Sequence, residues 1–236
     1  MPYFLKFKIA CSIIGLPLIS KSGLGVFSVS GRNLVPSPPA KIMAFIRNLY
    51  FFFKLSKYQT QLEELIAGDK LQVLPAVRKN ETLGFIRQGL EDFSVSRPAE
   101  RLGNWGIPVP GDPSQVMYVW FDALTIYMTS IGWGYDDKLW QKWWPADVHV
   151  IGKGIYRFHT VYWPAMLLSA GLPLPKTVLV HGYVNSGGQK MAKSLGNVVD
   201  PEELLTKYGT DPIRYYLLKE IPTQADGDFT EARFKE

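Results

Sequence analysis

The sequence predicts an α/β fold built on parallel strands, and three observations support that prediction. Apolar runs at residues 147–153 and 178–180 are typical of strands buried in a parallel sheet. An apolar stretch with helical character, residues 155–170, lies between them and is closed by Gly171. Strand, glycine turn, helix and strand in this order form a βαβ unit. Ligands of open α/β sheets bind at the carboxyl ends of the strands, so a ligand crevice is predicted there.

Length and composition set limits on the function. The chain has 236 residues, which is enough to bury a sizeable core. Its single cysteine, Cys11, excludes an internal disulfide and a cysteine-rich zinc site, and no metal site is predicted. The formal net charge is +5, but residues 1–62 hold 8 basic residues and no acidic one, whereas residues 63–236 hold 18 basic and 21 acidic residues. The basic character therefore belongs to the N-terminal segment and is not evidence for an RNA-binding face.

Residues 1–48 contain no functional motif, and three interpretations of them stay open. They read as a leader of signal or transit type, as a disordered extension, or as a segment foreign to the domain behind it through a start-site or reading-frame artefact. Lys6, Lys8 and Pro17 interrupt the apolar run, so neither a transmembrane helix nor a membrane partner is expected.

The next stretch moves from an aromatic run into a helix. Leu62, Leu65 and Ile66 form one apolar stripe that is predicted to face the core, and Ser56 is a candidate cap at the start of this helix.

A second helix, an extended segment and a loop follow. The helix is predicted over residues 77–90 and the extended segment over residues 92–96. Residues 97–113 are rich in proline and glycine and are predicted to form a loop. This loop is either a binding surface or a proline-rigid crossover.

Residues 116–131 begin as a strand and are predicted to turn into a helix near Asp122. One helical face, with spacing i, i+3, i+4 and i+7, carries Trp120, Ala123, Leu124 and Tyr127. Two interpretations stay open for this face: a core stripe, or the wall of a pocket for an apolar ligand. A thioether suits such a wall because contacts between sulfur and aromatic rings are favourable.

The strand at residues 178–180 leads into the most distinctive segment of the chain. A turn at Gly187-Gly188 is followed by a mobile basic loop with Lys190 and Lys193, and then by a helix that starts at Asp200-Pro201. Two ammonium groups on such a loop can close over a polyphosphate, although two solvated lysines are the plainer interpretation. Helices are also predicted over residues 202–207 and 211–220.

The βαβ unit brings several of these residues to one crevice. Gly152 and Lys153 end one predicted strand, His181 ends the other, and the 190–194 loop follows. His159 lies on the connecting helix and is a candidate because that helix borders the same crevice.

Several segments in order resemble methionyl-tRNA synthetases of the bacterial type, from about Tyr50 to the end of the chain. They are FFKLSKYQ, SRPAERLGNWGIPVP, VWFDALT, FHTVYWPAML and the KMAKS loop, in which Ala192 replaces the serine usual in the family. Their joint occurrence is far more specific than any one segment.

The resemblance implies a role for each matching position. The implied methionine pocket consists of Trp120, Ala123, Leu124, Tyr127, Ile155 and His159, with Tyr127 and His159 near the sulfur. The implied ATP-binding residues are Gly152, Lys153, His181, Lys190, Lys193 and Ser194, of which Lys190 and Lys193 are the catalytic pair.

The resemblance also implies the reaction and its partners. Methionine and ATP, with Mg²⁺, give methionyl-adenylate and pyrophosphate, and the acyl group then passes to tRNA(Met). A cytoplasmic location is expected, and no zinc site is implied in this chain.

Two departures from the family pattern bear on activity. The His-Ile-Gly-His signature of the N-terminal half-fold is absent, because His149, His159 and His181 are the only histidines. Gly154 stands where the family has an aspartate that hydrogen-bonds a ribose hydroxyl.

We therefore expect a fragment: the C-terminal half of a Rossmann-type class I synthetase catalytic domain, with part of the connecting insertion and the helical start of the anticodon-binding domain. The expected parts are residues 1–48, unassigned; 49–115, insertion and linker; 116–208, second half of the catalytic domain; and 209–236, helical stem. A separate N-terminal half of the enzyme is an expected partner. The alternative is an inactive pseudo-synthetase that retains methionine or partner binding.

Overall fold

The computed structural model describes residues 50–235, so the predictions for residues 1–48 lie outside the described residues. The strands are β1 Phe52–Phe53, β2 Gln72–Leu74, β3 Phe93–Ser94, β4 Ser96–Pro98, β5 Pro108–Val109, β6 Asp112–Met117, β7 Val148–Gly152, β8 Thr177–His181, β9 Val184–Ser186, β10 Gln189–Lys190 and β11 Gly227–Phe229. The α-helices are α1 Gln59–Ala67, α2 Ala76–Arg87, α3 Val119–Ala123, α4 Ile126–Thr129, α5 Asp137–Trp143, α6 Trp163–Ser169, α7 Pro201–Tyr208, α8 Thr210–Glu220 and α9 Glu231–Lys235.

The predicted βαβ unit is confirmed. Strands β7 and β8 pair in parallel from Val148↔Thr177 to Gly152↔His181. The sheet has the order β2-β8-β7, and β2 also pairs in parallel with β8. The third strand comes from the range that the sequence assigns to the connecting insertion. The domain boundaries stay a prediction.

The connection from β7 to β8 is helical but not one regular α-helix. A 3₁₀ turn at Lys153–Ile155 leads to a π-helical turn at Phe158–Tyr162, and α6 follows. In the π-helical turn, the Trp163 amide donates to the Phe158 carbonyl, five residues back. Pro164 has no N–H with which to form the regular α-helical hydrogen bond to the carbonyl four residues back. π-helical turns of this kind are common at functional sites.

The loop predicted over residues 97–113 is confirmed only in part, because residues 99–107 lie outside strands, whereas residues 97–98, 108–109 and 112–113 lie in strands. Strands β4, β6 and β5 form a three-stranded antiparallel sheet with β6 in the centre. Pro98 and Pro108 lie in its two outer strands, where a missing N–H is tolerated. Proline content therefore misled the prediction.

The predicted cap at Ser56 is also wrong. Residues 55–58 form a 3₁₀ turn before α1, and the Ser56 hydroxyl donates to Asp92 Oδ1 at 2.7 Å. Leu62 and Ile66 are fully buried and Leu65 packs against the core, as the apolar stripe predicts.

The basic loop is more ordered than predicted. Strands β9 and β10 form a hairpin across Gly187-Gly188, and β11 pairs with β9 in parallel, so Lys190 lies in a strand. The Gly188 amide donates to Asp228 Oδ1 at 2.8 Å. Both glycines have positive φ, 61° and 75°, which explains why the turn requires them.

The helix that follows begins as predicted. Pro201 opens α7, and the Asp200 carboxylate accepts from the Glu202 amide at 2.8 Å. This is the expected N-cap with proline at the first helical position.

One continuous core joins the parallel sheet to α1, α2 and the β7–β8 connection. Its largest fully buried side chain is Trp163. Within residues 50–235, no helix is long and apolar enough to cross a membrane.

Candidate active site

The centre of the candidate site is a hydrogen bond between Tyr127 and His159. Tyr127 Oη lies 2.8 Å from His159 Nε2, and His159 Nδ1 lies 3.0 Å from the Ile155 carbonyl oxygen. A carbonyl oxygen only accepts, so Nδ1 carries the proton of the neutral ring. Nε2 is then an acceptor, and the Tyr127 hydroxyl donates to it.

Aromatic rings surround this pair. Trp120 stacks on Phe158 with ring centroids 4.3 Å apart and an interplanar angle of 14°. Its ring also meets His159 edge-on at 6.4 Å. The His149 ring lies 4.3 Å from the Tyr127 ring, on the side of the core. The predicted residues Trp120 and Tyr127 thus both lie against the His159 ring, and the site wall is largely aromatic.

Burial keeps both histidines uncharged. Desolvation lowers the pKa of His159, against an opposing effect of the bond to the Ile155 carbonyl. Desolvation, with a smaller repulsion from His159, lowers the pKa of His149 to about 4. Burial also raises the pKa of the Tyr127 hydroxyl. At neutral pH the site therefore presents aromatic faces and no net charge, which suits an apolar, polarisable group.

The other residues predicted for the pocket have different surroundings. Ala123 and Ile155 are partly exposed, and Ile155 contributes the carbonyl that orients His159. Leu124 is 2% exposed and belongs to the core. Its contact with a ligand stays a prediction.

The carboxyl ends of β7 and β8 meet next to this site. Gly152 and His181 are register partners, so the predicted nucleotide-binding ends of the two strands lie side by side. An added Cβ at Gly152 would lie 3.7 Å from His181 Cε1, which is ordinary contact.

The predicted lysines differ in their partners. Lys153 Nζ forms an ion pair with Asp226 Oδ2 at 2.7 Å and lies 4.7 Å from the centroid of the Tyr183 ring. Lys190 Nζ lies 4.5 Å from the same centroid. Lys193 and Ser194 are exposed in a 3₁₀ turn.

Asn197 ties this turn back to the hairpin. Its Oδ1 accepts from the Ala192 amide at 2.9 Å, and its Nδ2 donates to the Lys190 carbonyl at 3.2 Å. The distance between the two lysines is therefore restrained by the chain between them.

Sequence reasoning missed four residues of this region: His149, Phe158, Tyr183 and Asp226. A sequence signal exists for two of them: Phe158 adjoins the predicted site residue His159, and His149 lies in the predicted strand that ends at Gly152 and Lys153. No sequence signal points to Asp226, because it lies 73 positions after Lys153, the lysine with which it pairs.

Comparisons with known proteins identify the family of this chain. The family model described as "tRNA synthetases class I (M)" matches residues 40–236. The crystal structure of Mycobacterium tuberculosis methionyl-tRNA synthetase bound by methionyl-adenylate superposes with a TM-score of 0.73 at 43% identity, over 79% of this chain and 36% of that chain. The family model and the fold define a class I tRNA synthetase domain.

Two relatives of this chain show which synthetase family within this class it belongs to. The chain is 55% identical over 188 residues to the methionine–tRNA ligase of Nostoc sp., covering 78% of this chain and 35% of the relative. It is 48% identical over 195 residues to the Brucella suis enzyme, covering 82% and 37%. The chain belongs to the methionyl-tRNA synthetase family. It spans about a third of the length of these relatives.

Proposed function

We propose that this chain carries the methionine pocket and the phosphate-binding lysines of a methionyl-tRNA synthetase. The observation that carries the proposal is the Tyr127–His159 hydrogen bond within an uncharged aromatic wall. The whole activity is ATP-dependent formation of methionyl-adenylate and transfer of methionine to tRNA(Met).

The pocket recognises the methionine side chain without a charge. The Tyr127 proton is held by His159, so neither side chain has to turn a donor toward the thioether. The sulfur contacts the rings of Trp120 and Tyr127, which a branched aliphatic side chain does less well. Leu124, Ala123 and Ile155 complete the apolar boundary.

The first reaction step takes place at the ends of β7 and β8. A carboxylate oxygen of methionine attacks the α-phosphorus of ATP, the bond to the bridging oxygen breaks, and pyrophosphate leaves with the electron pair. Lys190 and Lys193 stabilise the charge that develops on the phosphates, and Mg²⁺ enters with the nucleotide. Gly152, His181 and Ser194 border the nucleotide. Lys153 acts there together with Asp226.

The second step and the partners follow from the family. A hydroxyl of the terminal ribose of tRNA(Met) attacks the activated carbonyl, AMP leaves, and the hydroxyl proton passes to solvent. The protein acts in the cytoplasm. The remaining part of the enzyme, including the N-terminal half of the catalytic domain, acts together with this chain.

A pseudo-synthetase is the second candidate, and one observation favours it. At Gly154 an added Cβ would overlap the Tyr183 hydroxyl and lie 3.4 Å from Tyr183 Cζ. The position at which the family carries an aspartate is thus covered by a phenol. A chain with this arrangement binds methionine but does not activate it.

Calorimetric titration of the purified chain with methionine, leucine and valine tests the pocket. We expect methionine to bind in preference to both, and Trp120→Ala to weaken binding at least tenfold. Trp105→Ala is the matched control, because Trp105 is 74% exposed and lies outside the site. Equal binding of leucine and methionine, or an unchanged affinity in Trp120→Ala, rejects the pocket. Methionine binding without pyrophosphate exchange, even with the rest of the enzyme added, favours the pseudo-synthetase.

A further inference from the structure

The ring of Tyr183 is shared by two ammonium groups. Lys153 Nζ lies 4.7 Å and Lys190 Nζ lies 4.5 Å from its centroid. Lys153 directly follows β7 and Lys190 ends β10, so the two are far apart in sequence. Tyr183, two residues after the end of β8, is the side chain that brings them together. Neither composition nor motif spacing assigns it a role.

The two lysines differ in how their charge is balanced. Asp226 neutralises Lys153 through an ion pair of 2.7 Å. Lys190 has no carboxylate within ion-pair distance among residues 50–235, and its described ammonium contact is the Tyr183 ring. Among residues 50–235, the charge of Lys153 is thus balanced by a carboxylate and that of Lys190 is not, which leaves Lys190 the better placed of the two to attract an incoming anion.

The backbone of Tyr183 is fixed on both sides. Its amide donates to Asp226 Oδ1 at 2.8 Å, and its carbonyl accepts from the Gly227 amide at 2.9 Å. At Gly182 the chain passes so close to Ala225 that an added Cβ would overlap the Ala225 carbonyl. The backbone of Tyr183 is thus held by the segment at 225–227, while the hydroxyl end of its ring reaches over Gly154. A ring held in this way can act as a fixed platform.

We propose that Tyr183 is a positioning residue that holds the Lys190 ammonium at the mouth of the crevice, ready to bind the phosphates of the nucleotide. Asp226 supports it by fixing the Tyr183 backbone and by neutralising Lys153, the second cation on the ring. The inference rests on the proposed function for the identity of the nucleotide.

An aromatic ring suits this task better than a carboxylate does. The ring attracts the cation through its quadrupole and orients it, but it adds no opposing charge and accepts no strong hydrogen bond. The three N–H donors of the ammonium stay available for phosphate oxygens. A carboxylate at the same place would neutralise the charge and would compete with the phosphates. Because Asp226 balances the charge of Lys153, the repulsion between the ammonium groups of Lys153 and Lys190 near the ring stays small.

The test is the affinity for ATP with Mg²⁺, measured by calorimetry without methionine on the purified chain. Tyr183→Leu removes the ring, whereas Tyr183→Phe keeps it and removes only the hydroxyl. We expect Tyr183→Leu to weaken ATP binding roughly threefold to tenfold, the range of an exposed to partly buried cation–π contact, and Tyr183→Phe to stay within about twofold of wild type.

A double-mutant cycle separates positioning from mere structural support. If Tyr183 acts through Lys190, Tyr183→Leu has no further effect in a Lys190→Ala background. Additive losses, equal losses in Tyr183→Leu and Tyr183→Phe, or no ATP binding by the wild-type chain overturn the proposal. Since methionine is left out, failure of the methionine pocket does not affect this result.

A second measurement keeps the proposal falsifiable if Tyr183→Leu does not fold. NMR signals of the Lys190 side-chain methylene next to Nζ should be shifted by the aromatic ring current in wild type and in Tyr183→Phe. Normal, unshifted signals in the folded wild-type chain overturn the proposal.

Discussion

The hydroxyl of Tyr127 donates a 2.8 Å hydrogen bond to Nε2 of His159, whose other ring nitrogen donates to the Ile155 carbonyl. This relay fixes one tautomer of a buried histidine and one direction of a tyrosine hydroxyl. Loss of the hydroxyl in Tyr127→Phe leaves a buried acceptor unpaired. We expect the free energy of unfolding to fall by about 1–3 kcal/mol and methionine to bind more weakly.

Chemical denaturation and calorimetry measure both effects of Tyr127→Phe. The control is Tyr135→Phe, because Tyr135 is 52% exposed. A variant as stable as wild type with unchanged methionine affinity would show that the bond has no part in the site.

Stability should fall as the pH drops from 6.5 toward 4. Burial lowers the pKa of His149 to about 4 in the folded chain, whereas the unfolded chain titrates near 6.5. Between these values the unfolded state binds more protons than the native state, so each step toward lower pH favours unfolding. Full titration of this one group corresponds to roughly 3 kcal/mol, all of it present above pH 6.5 and lost by pH 4.

Denaturation midpoints from pH 7 to pH 4.5 check this dependence. His149→Gln removes the titrating group, so its pH profile should be flatter than that of wild type, whatever its absolute stability. Parallel profiles for the two proteins would rule out His149 as a source of the pH dependence.

The close approach of two backbone segments makes Gly182 irreplaceable. An added Cβ there would lie 2.8 Å from the Asp226 amide nitrogen and would overlap the Ala225 carbonyl, and backbone cannot move aside as a side-chain end can. We expect Gly182→Ala to destabilise the chain by more than about 2 kcal/mol, as overpacking does. Gly84→Ala is the matched control: Gly84 lies in α2 with nothing within 4 Å of an added Cβ, so that variant should be stabilised by up to about 1 kcal/mol. Thermal unfolding of the two variants is the measurement. A Gly182→Ala variant that melts at or above the wild-type temperature would contradict the predicted overlap at Gly182.

The Asp228 carboxylate should control the order of the lysine hairpin. Its bond to the Gly188 amide is the described side-chain contact at the turn. Asp228→Ala should speed hydrogen exchange at Gly188, whereas Asp228→Asn keeps an acceptor oxygen and should exchange more slowly than the alanine variant. Exchange rates that are the same in all three proteins would show that the turn is held by the glycines alone.

The β7–β8 pair and the helix at Pro201 were predictable because each depends on local signals, whereas the third strand of the parallel sheet, β2, was not predicted. The runs that form β7 and β8 are largely apolar, although Val148 and Val150 of β7 are 48% and 63% exposed rather than buried, and an Asp-Pro pair marks a helix start. The antiparallel sheet at residues 96–117 could not be predicted in this way, because prolines in the edge strands of a sheet and prolines in loops give the same sequence pattern. The ordered hairpin depends on β11, about 40 residues later, which no local pattern reveals.

In the candidate site, too, the residues marked by local patterns were predicted and those that depend on distant contacts were not. Helical spacing and the family resemblance both select Trp120 and Tyr127, whereas His159 is selected by the βαβ argument and the resemblance, and the structure brings Tyr127 and His159 into a hydrogen bond. The sequence did not point to Tyr183 and Asp226, because their effect on Lys153 and Lys190 arises from packing between segments that are distant in sequence. The roles of all the predicted site residues stay predictions.

Methionine-dependent exchange between pyrophosphate and ATP tests the central claim most directly. It is measured on the wild-type chain mixed with the remaining part of the Nostoc sp. relative, expressed separately, and on Lys193→Ala treated in the same way. Lys176→Ala is the control, because Lys176 is exposed and pairs with Asp147 at the opposite end of the sheet. The account predicts exchange that requires methionine, persists in Lys176→Ala and is lost in Lys193→Ala. No exchange with the wild-type chain, or equal exchange in Lys193→Ala, would contradict it.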